Sequence, residues 1–399
     1  MLAAESIYIL PYVLARVFRP TFLDVFNLTN LELGGLFSIY GVVAFFSYLY
    51  GGVLADRYSP RKLLSISLIF TSLGGLIMMT YPSYLIMQLL FAYWGFTTVF
   101  IFWAPMLKAT RAIGGVKMQG KTFSFLDGGR GVVASSIGLI GVLIFSVLIT
   151  EDVSSLTLSE KQEVFKYVIG ASSLIVFLIG IVVYAYLKIE LKDDEKIGNI
   201  KSLLELSKLK SVWLISFIIL CAYMGYKITD VYSLYASDVM LFDEINAARV
   251  GALQQYLRPI VCISVAFFTD KNGNINNILI GFFIMMIGSI LFASGLIKVS
   301  MNILFFISLI IVATGTYAIR GLYFSILKDG KIPYILSGTA IGLISIVGYS
   351  PDIFATPLYG YLLDSFPGIR GHQYVYLILF ISSIVGIYVS LKFKKLNNL

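Results

Sequence analysis

Apolar stretches long enough to cross a bilayer recur from one end of this 399-residue chain to the other, and a soluble fold has no interior large enough to hold them. A helix needs about 20 residues to traverse roughly 30 Å of hydrocarbon. Twelve segments qualify, with approximate limits 3–24, 33–54, 62–80, 83–107, 123–149, 164–187, 211–236, 248–268, 275–297, 301–325, 333–361 and 372–391. Charged residues make up only 13% of the chain, against about 25% in a soluble domain. A cytosolic enzyme, a coiled coil and a disordered chain are excluded, and an all-α polytopic membrane protein remains. Arg16, Arg19 and Pro20 interrupt the first segment, which reads as a broken span rather than a targeting peptide. Spans 1, 7 and 11 hold internal charge or proline, so hydropathy alone is apt to overlook them.

The linkers carry the orientation. With both termini cytoplasmic, the cytoplasmic linkers and tail hold nineteen Lys and Arg, while the opposite linkers hold five: Lys161, Lys166, Arg249, Lys298 and Arg370. Cytoplasmic loops retain basic residues, so this asymmetry predicts both ends inside. It also accounts for the net charge of +8 without nucleic acid, because the basic residues are scattered over short loops. The polar stretch 188–210 links an N-terminal bundle, 1–187, to a C-terminal bundle, 211–399. Within it, 199–209 can form a short interfacial helix with Ile200, Leu203 and Leu204 on one side, but Ser207 cuts that apolar stripe short and favours a solvated tether. A monomeric, multi-pass protein of the cell inner (cytoplasmic) membrane is expected.

One motif occurs twice. GGVLADRYSPRKLL, residues 51–64, follows span 2, and AFFTDKNG, residues 266–273, follows span 8. Asp56 and Asp270 therefore stand 214 residues apart, about half the chain, as in a duplicated transporter architecture. Asp56, Arg57 and Arg61 can reach carboxylates and helix-end carbonyls in one arrangement of the halves and lose them in another, which makes a latch; Asp270 is the counterpart. On these residues the chain resembles the major facilitator superfamily over its full length. Gly52, Asp56, Arg57 and Arg61 match that family's signature between spans 2 and 3, whereas Ser59 and Pro60 stand where it has glycine and a basic residue. The resemblance implies two pseudo-symmetric six-helix bundles and a cavity lined by spans 1, 4, 7 and 10. The Asp-Arg-x-x-Pro-Arg variant is similar to the organophosphate/anion branch. That branch carries an arginine in span 1 and a second basic residue in span 7, where Arg16 and Lys227 occupy comparable places. Span 5, DGGRGVVASSIGLIG, lacks the proline of the family's antiporter signature, which argues against a drug/proton antiporter.

Six basic residues fall in or at the edges of spans: Arg16, Arg19, Arg130, Lys227, Arg258 and Arg320. An unpaired charge in hydrocarbon costs at least about 2.5–3.5 kcal/mol, so each should face a wet cavity or a carboxylate. Asp24, Asp127, Asp230 and Asp352 are the acids near them, and the basic excess predicts a positive cavity and an anionic substrate. Lys227 and Asp230 share a helix face at i and i+3, beside Tyr223 and Tyr226. Arg258 precedes Pro259 on a face with Gln254 and Gln255. Arg16, Tyr223, Tyr226, Lys227, Asp230 and Arg258 thus form the expected substrate-binding set. Asp127 and Arg130, among Gly128, Gly129 and Gly131, read as a gating pair alongside Asp56, Arg57, Arg61 and Asp270. Arg320 can snorkel from the end of span 10. Asp352, between Pro351 and Pro357, marks a broken helix; Asp230 and Asp352 are candidates to carry a coupled proton.

The chain has no GxxxxGK[ST] loop and one histidine, His372; Cys221 and Cys262 both sit in apolar stretches. Nucleotide hydrolysis, a catalytic triad, a metal centre, a disulfide framework and a cofactor are therefore not expected. The reading is a secondary transporter, not an enzyme, moving a small organic anion or phosphorylated metabolite with a coupling proton or counter-anion. A second reading is a proton-coupled symporter of a neutral metabolite such as a sugar or peptide. A third, of another class, is a non-transporting membrane receptor.

Overall fold

The structure, a computed structural model, describes residues 1–114, 119–149, 156–188, 200–272, 274–327, 329–332 and 337–399. All regular secondary structure among them is helical.

Where hydropathy anticipates one helix over 3–24, the chain makes four pieces: α1 (Leu2–Ser6), a π-helical turn (Ile9–Val13), α2 (Leu14–Val17) and α3 (Arg19–Phe26). Pro20 explains the last break. It has no N–H to give the Arg16 carbonyl, and Phe18 leaves helical geometry at φ −107°, ψ 37°. Next come α4 (Asn30–Arg57) and α5 (Pro60–Met78). A capping box starts α4: the Thr29 hydroxyl accepts from Glu32 N–H while the Glu32 carboxylate accepts from Thr29 N–H at 2.8 Å. The following span is α6 (Tyr84–Gly95), a π-helical stretch (Phe96–Ile101) and α7 (Trp103–Gly114). Then α8 (Gln119–Leu148) and α9 (Leu158–Tyr186) complete the N-terminal half.

The polar connection contains α10 (Ile200–Ser207), which corrects the expected tether. Leu206 is buried with the C-terminal core, and Trp213 Nε1 donates to the Ser207 carbonyl at 2.7 Å, so the short helix has both a packed face and a finished end. Span 7 is α11 (Lys210–Ile228) and α12 (Tyr232–Asp238), interrupted between them. Span 8 is α13 (Glu244–Leu253), a 3-10 turn (Gln254–Tyr256) and α14 (Leu257–Asn272). The rest is α15 (Asn274–Ala293), α16 (Asn302–Leu322), α17 (Ser337–Gly348), α18 (Pro351–Ser365) and α19 (Ile369–Asn397).

Among the described residues, ten helical segments are long and apolar enough to cross a membrane. The first and eighth expected spans are not among them; span 7 qualifies through α11 alone. The outward surface is apolar, with Leu85, Leu143 and Ile303 exposed, as a lipid-facing surface should be.

Buried apolar side chains form two clusters. One runs from Ala4 to Ile179 and takes in Ala248 and Ala252 of α13. The other runs from Leu206 to Phe393. Along their seam α4 lies against α18, and α8 against α13 and α14. Small residues permit the first contact. A Cβ on Gly34 would lie 2.7 Å from Pro357 Cα, and one on Gly360 would overlap the Asn30 carbonyl. Pro357 frees the Ile353 carbonyl inside α18, and Ser38 Oγ of α4 donates to it at 2.7 Å. The Arg16 carbonyl freed by Pro20 is met in the same way by Ser233 Oγ of α12, at 2.8 Å. Each freed carbonyl is therefore satisfied by a serine from the opposite half, which ties the proline-containing segments to the seam.

Candidate functional site

The breaks bring the buried charges together. Asp230 sits where α11 stops, so its side chain and its backbone carbonyl are both available. Arg16 Nε meets Asp230 Oδ1 at 2.6 Å, and Lys227 Nζ meets Asp230 Oδ2 at 2.7 Å. Lys227 Nζ also lies 3.3 Å from Asp352 Oδ1, which accepts a hydrogen bond from Tyr223 OH at 3.2 Å. The rings of Tyr12 and Phe37 stand 4.7 and 5.0 Å from the same ammonium, adding cation–π attraction. Arg19 Nη1 donates to the Asp230 carbonyl at 3.3 Å and holds the Asn30 side chain at 2.9 Å through Nη2.

A second cluster adjoins the first. Arg130 Nε pairs with Glu5 Oε2 at 2.6 Å. Arg258 grips Asp127 through Nε, at 3.1 Å, and through Nη2, and its Nη1 stands 3.6 Å from Glu5. Asp127 is also approached by Arg130 at 3.8 Å and Arg320 at 3.6 Å. Gly131 permits this crowding, since a Cβ there would lie 2.8 Å from both Arg258 Cβ and Pro259 Cδ. Tyr226 joins the clusters. Its ring centroid is 3.8 Å from the Arg320 guanidinium and 4.9 Å from that of Arg16, and its hydroxyl accepts from Arg16 Nη1 at 3.2 Å.

Both clusters border a central cavity of about 50 Å3, room for a few waters. Its charged wall is Glu5, Arg16, Arg130, Lys227, Arg320 and Asp352, and its aromatic wall includes Tyr8, Tyr12, Tyr40, Tyr223 and Tyr226. Tyr48, Trp103 and Tyr349 also line it and join the halves by ring contacts, with centroids 6.0 Å apart for Tyr48–Tyr349 and Trp103–Tyr349. At the end carrying the α3–α4 turn the halves are joined by polar contacts. Asp364 of α18 accepts from Leu31 N–H at 2.6 Å and Asn30 N–H at 3.1 Å, and Glu244 accepts from Thr21 Oγ1 at 2.7 Å.

Of the residues anticipated for substrate binding, Arg16, Tyr223, Tyr226 and Lys227 lie on the cavity wall. Asp230 stands behind Arg16 and Lys227, and Arg258 is turned away into its bond with Asp127. Of the two surroundings expected for these charges, Arg16, Arg130, Lys227 and Arg258 have carboxylates at hydrogen-bond distance, because a buried charge is stabilised most by such a partner. Arg320 is on the wall rather than snorkelling. In the anticipated latch, Arg61 Nε donates to the Tyr184 carbonyl at the end of α9 and its guanidinium lies 4.6 Å from the Tyr184 ring centroid. The side chains of Asp56, Arg57 and Asp270 lie outside the described residues. Sequence reasoning passes over Glu5 and leaves Arg320 open. A carboxylate inside an apolar segment, opposite surplus buried arginines, is the signal that could have found Glu5.

The profile of the Major Facilitator Superfamily matches residues 2–350. The chain is similar to the inner membrane protein YqcE of Escherichia coli (strain K12), 25% identical over 359 residues, covering 88% of this chain and 82% of the relative. Its fold is similar to a crystal structure of a bacterial homolog of the human lysosomal transporter Spinster, inward-facing and unoccupied. The TM-score is 0.74 at 14% identity, with 99% of this chain and 96% of that one covered. It is similar as well to a structure of proton dependent oligopeptide transporters, with TM-score 0.71, 11% identity and coverage of 100% and 98%.

Proposed function

This chain belongs to the Major Facilitator Superfamily, and from that premise we propose that it couples proton movement to the passage of a small, net-neutral polar metabolite. It is a multi-pass membrane protein and a secondary transporter of the alternating-access type, not an enzyme. One observation carries the finer reading: Lys227 is held between Asp230, 2.7 Å away, and Asp352, 3.3 Å away. A proton arriving on Asp352 removes half of that bridge and leaves Lys227 to Asp230. Asp230 in turn grips Arg16 across the seam, so protonation at α18 is transmitted to the contact between halves. Arg16 and Lys227 spend their charge on carboxylates, which lessens the demand for an anionic substrate. The tyrosines supply hydroxyls and ring faces suited to an uncharged polar molecule. A metabolite enters once Tyr48, Trp103 and Tyr349 part, since the present cavity holds only a few waters. A matched fold that serves proton-dependent carriage of oligopeptides supports the same reading.

In this proposal the two halves, 1–187 and 211–399, rock as six-helix bundles about the seam. Arg61, Asp127 and Arg130 act as gating contacts. Both termini are cytoplasmic, on the basic-loop asymmetry; the protein is a monomer, and it lies in the inner membrane, as the name of its relative suggests. The other reading, an organic anion or phosphorylated metabolite, rests on the surplus of six buried basic side chains over the four carboxylates Glu5, Asp127, Asp230 and Asp352.

The experiment is reconstitution of the purified chain into vesicles holding a pH dye, after a thermal-shift screen of neutral and anionic metabolites has found a ligand. Internal pH should change as a net-neutral ligand enters. A flux that ignores pH and moves no protons overturns the coupling, and ligands confined to phosphate esters restore the anion reading.

A further inference from the structure

Among the described residues, four basic side chains border the cavity, and three of them already have a carboxylate: Arg16 has Asp230 at 2.6 Å, Lys227 has Asp230 at 2.7 Å, and Arg130 has Glu5 at 2.6 Å. Arg320 differs. The carboxylate oxygen nearest to it, Asp127 Oδ1, is 3.6 Å away and already bonded by Arg258 Nη2. Arg320 Nε and Nη1 are buried and have no hydrogen-bond partner among the described residues, although its side chain is only 8% exposed. Its charge is not neutralised locally either. Arg130, Arg258 and Arg320 share two carboxylates, Glu5 and Asp127, whereas Arg16 and Lys227 share another two, Asp230 and Asp352.

Leaving buried guanidinium N–H groups without an acceptor is strongly unfavourable. A water admitted to those donors as the cavity opens would supply an acceptor but no charge. An incoming carboxylate supplies both the acceptor and the missing negative charge, and a charge-assisted bond of this kind is about twice as strong as a neutral one. The face of the Arg320 guanidinium is held on the Tyr226 ring at 3.8 Å, which restrains it before the ligand arrives.

We propose that Arg320 is the substrate-anchoring residue of the cavity, and that the substrate is a small metabolite with a free carboxylate. This rests on the net-neutral reading above and narrows it: the molecule is zwitterionic rather than a sugar. The aromatic faces of Tyr12 and Tyr223 and the Asp352 carboxylate offer its cationic end a place on the same wall.

The test uses the full-length protein and a thermal-shift panel of amino acids and dipeptides, the same compounds amidated at the carboxyl, neutral sugars, and inorganic phosphate. At least one free-carboxylate compound should raise the melting temperature. Its amide should not, and Arg320→Gln should weaken binding at least tenfold. Arg320→Lys, which keeps the charge and guards against a folding defect, should retain part of it. Stabilisation that survives amidation, or that is equal in Arg320→Gln, overturns the anchor. Stabilisation by phosphate or sugars but by no carboxylate overturns the substrate class. Proton movement with an uncharged ligand in that event leaves the coupling reading intact and removes this one alone.

Discussion

Arg16 and Asp230 are 214 residues apart, the same separation as Asp56 and Asp270 in the repeated turn, and they meet at 2.6 Å in the interior. The two halves thus contribute a cation and an anion that bind each other across the seam. One sits just before a proline break and the other just after a helix end, so each half presents its charge where its helix is interrupted.

Removing Asp230 leaves Arg16 buried without its carboxylate, whereas removing Arg16 leaves Asp230 to Lys227. Asp230→Leu should destabilise the fold by about 3–5 kcal/mol, and Arg16→Leu by less. The double substitution should lose less than the sum of the two. Melting temperatures of the four proteins in one detergent form the cycle; additive losses would mean that the pair is not coupled.

Asp352 bonds Tyr223 and Lys227 from α18, the helix that faces α4 across the seam. Asp352→Asn keeps the shape and removes the titrating group. Counterflow of substrate across vesicles should persist, whereas accumulation driven by a pH gradient should disappear. Accumulation at the unmodified level would place the coupling proton elsewhere.

The close approach of α4 and α18 depends on Gly360, where a Cβ would overlap the backbone carbonyl of Asn30. Backbone cannot move aside as a side-chain tip can, so Gly360→Ala should hold this end of the seam apart, at a cost of about 1–3 kcal/mol. A cysteine at Ser38, which now donates to the Ile353 carbonyl, should then react several-fold faster with a membrane-impermeant maleimide. Unchanged labelling would show that this end does not open as a unit.

Asp364 supplies from the opposite half the cap that α4 needs for its Asn30 and Leu31 N–H groups. Asp364→Ala should weaken the closed arrangement by about 0.5–2 kcal/mol, the usual worth of an N-cap. Spin labels on α4 and α18 near this end should report a larger separated population by electron-spin distance measurement. An unaltered distance distribution would remove Asp364 from the gate.

Several of these features could be read from the amino acids alone. Runs of apolar residues identify helices that cross a membrane whatever their partners, because the bilayer sets their length and every backbone group must be bonded within the helix. The same logic picks out the charges that have to be explained, and Lys227 and Asp230 pair at i and i+3 as their spacing requires. Pro20 and Pro351 announce breaks in the first and eleventh spans, and both breaks are present. The break within span 7 has no such signal, since Thr229 and Val231 are ordinary helix residues in other settings.

The partners of those charges could not be read in this way. Asp127 has Arg130 three residues away, yet its closest bond is to Arg258, 131 residues on. Glu5 takes Arg130 at a separation of 125 residues. Local spacing settles which groups share a helix face, and composition settles that the chain lives in lipid. The identity of each counter-ion depends instead on how broken helices from two halves register against one another. That register is set by glycine contacts and serine-bonded carbonyls that exist only once the halves meet, so the tertiary structure alone decided which arginine lacks a hydrogen-bonded counter-ion.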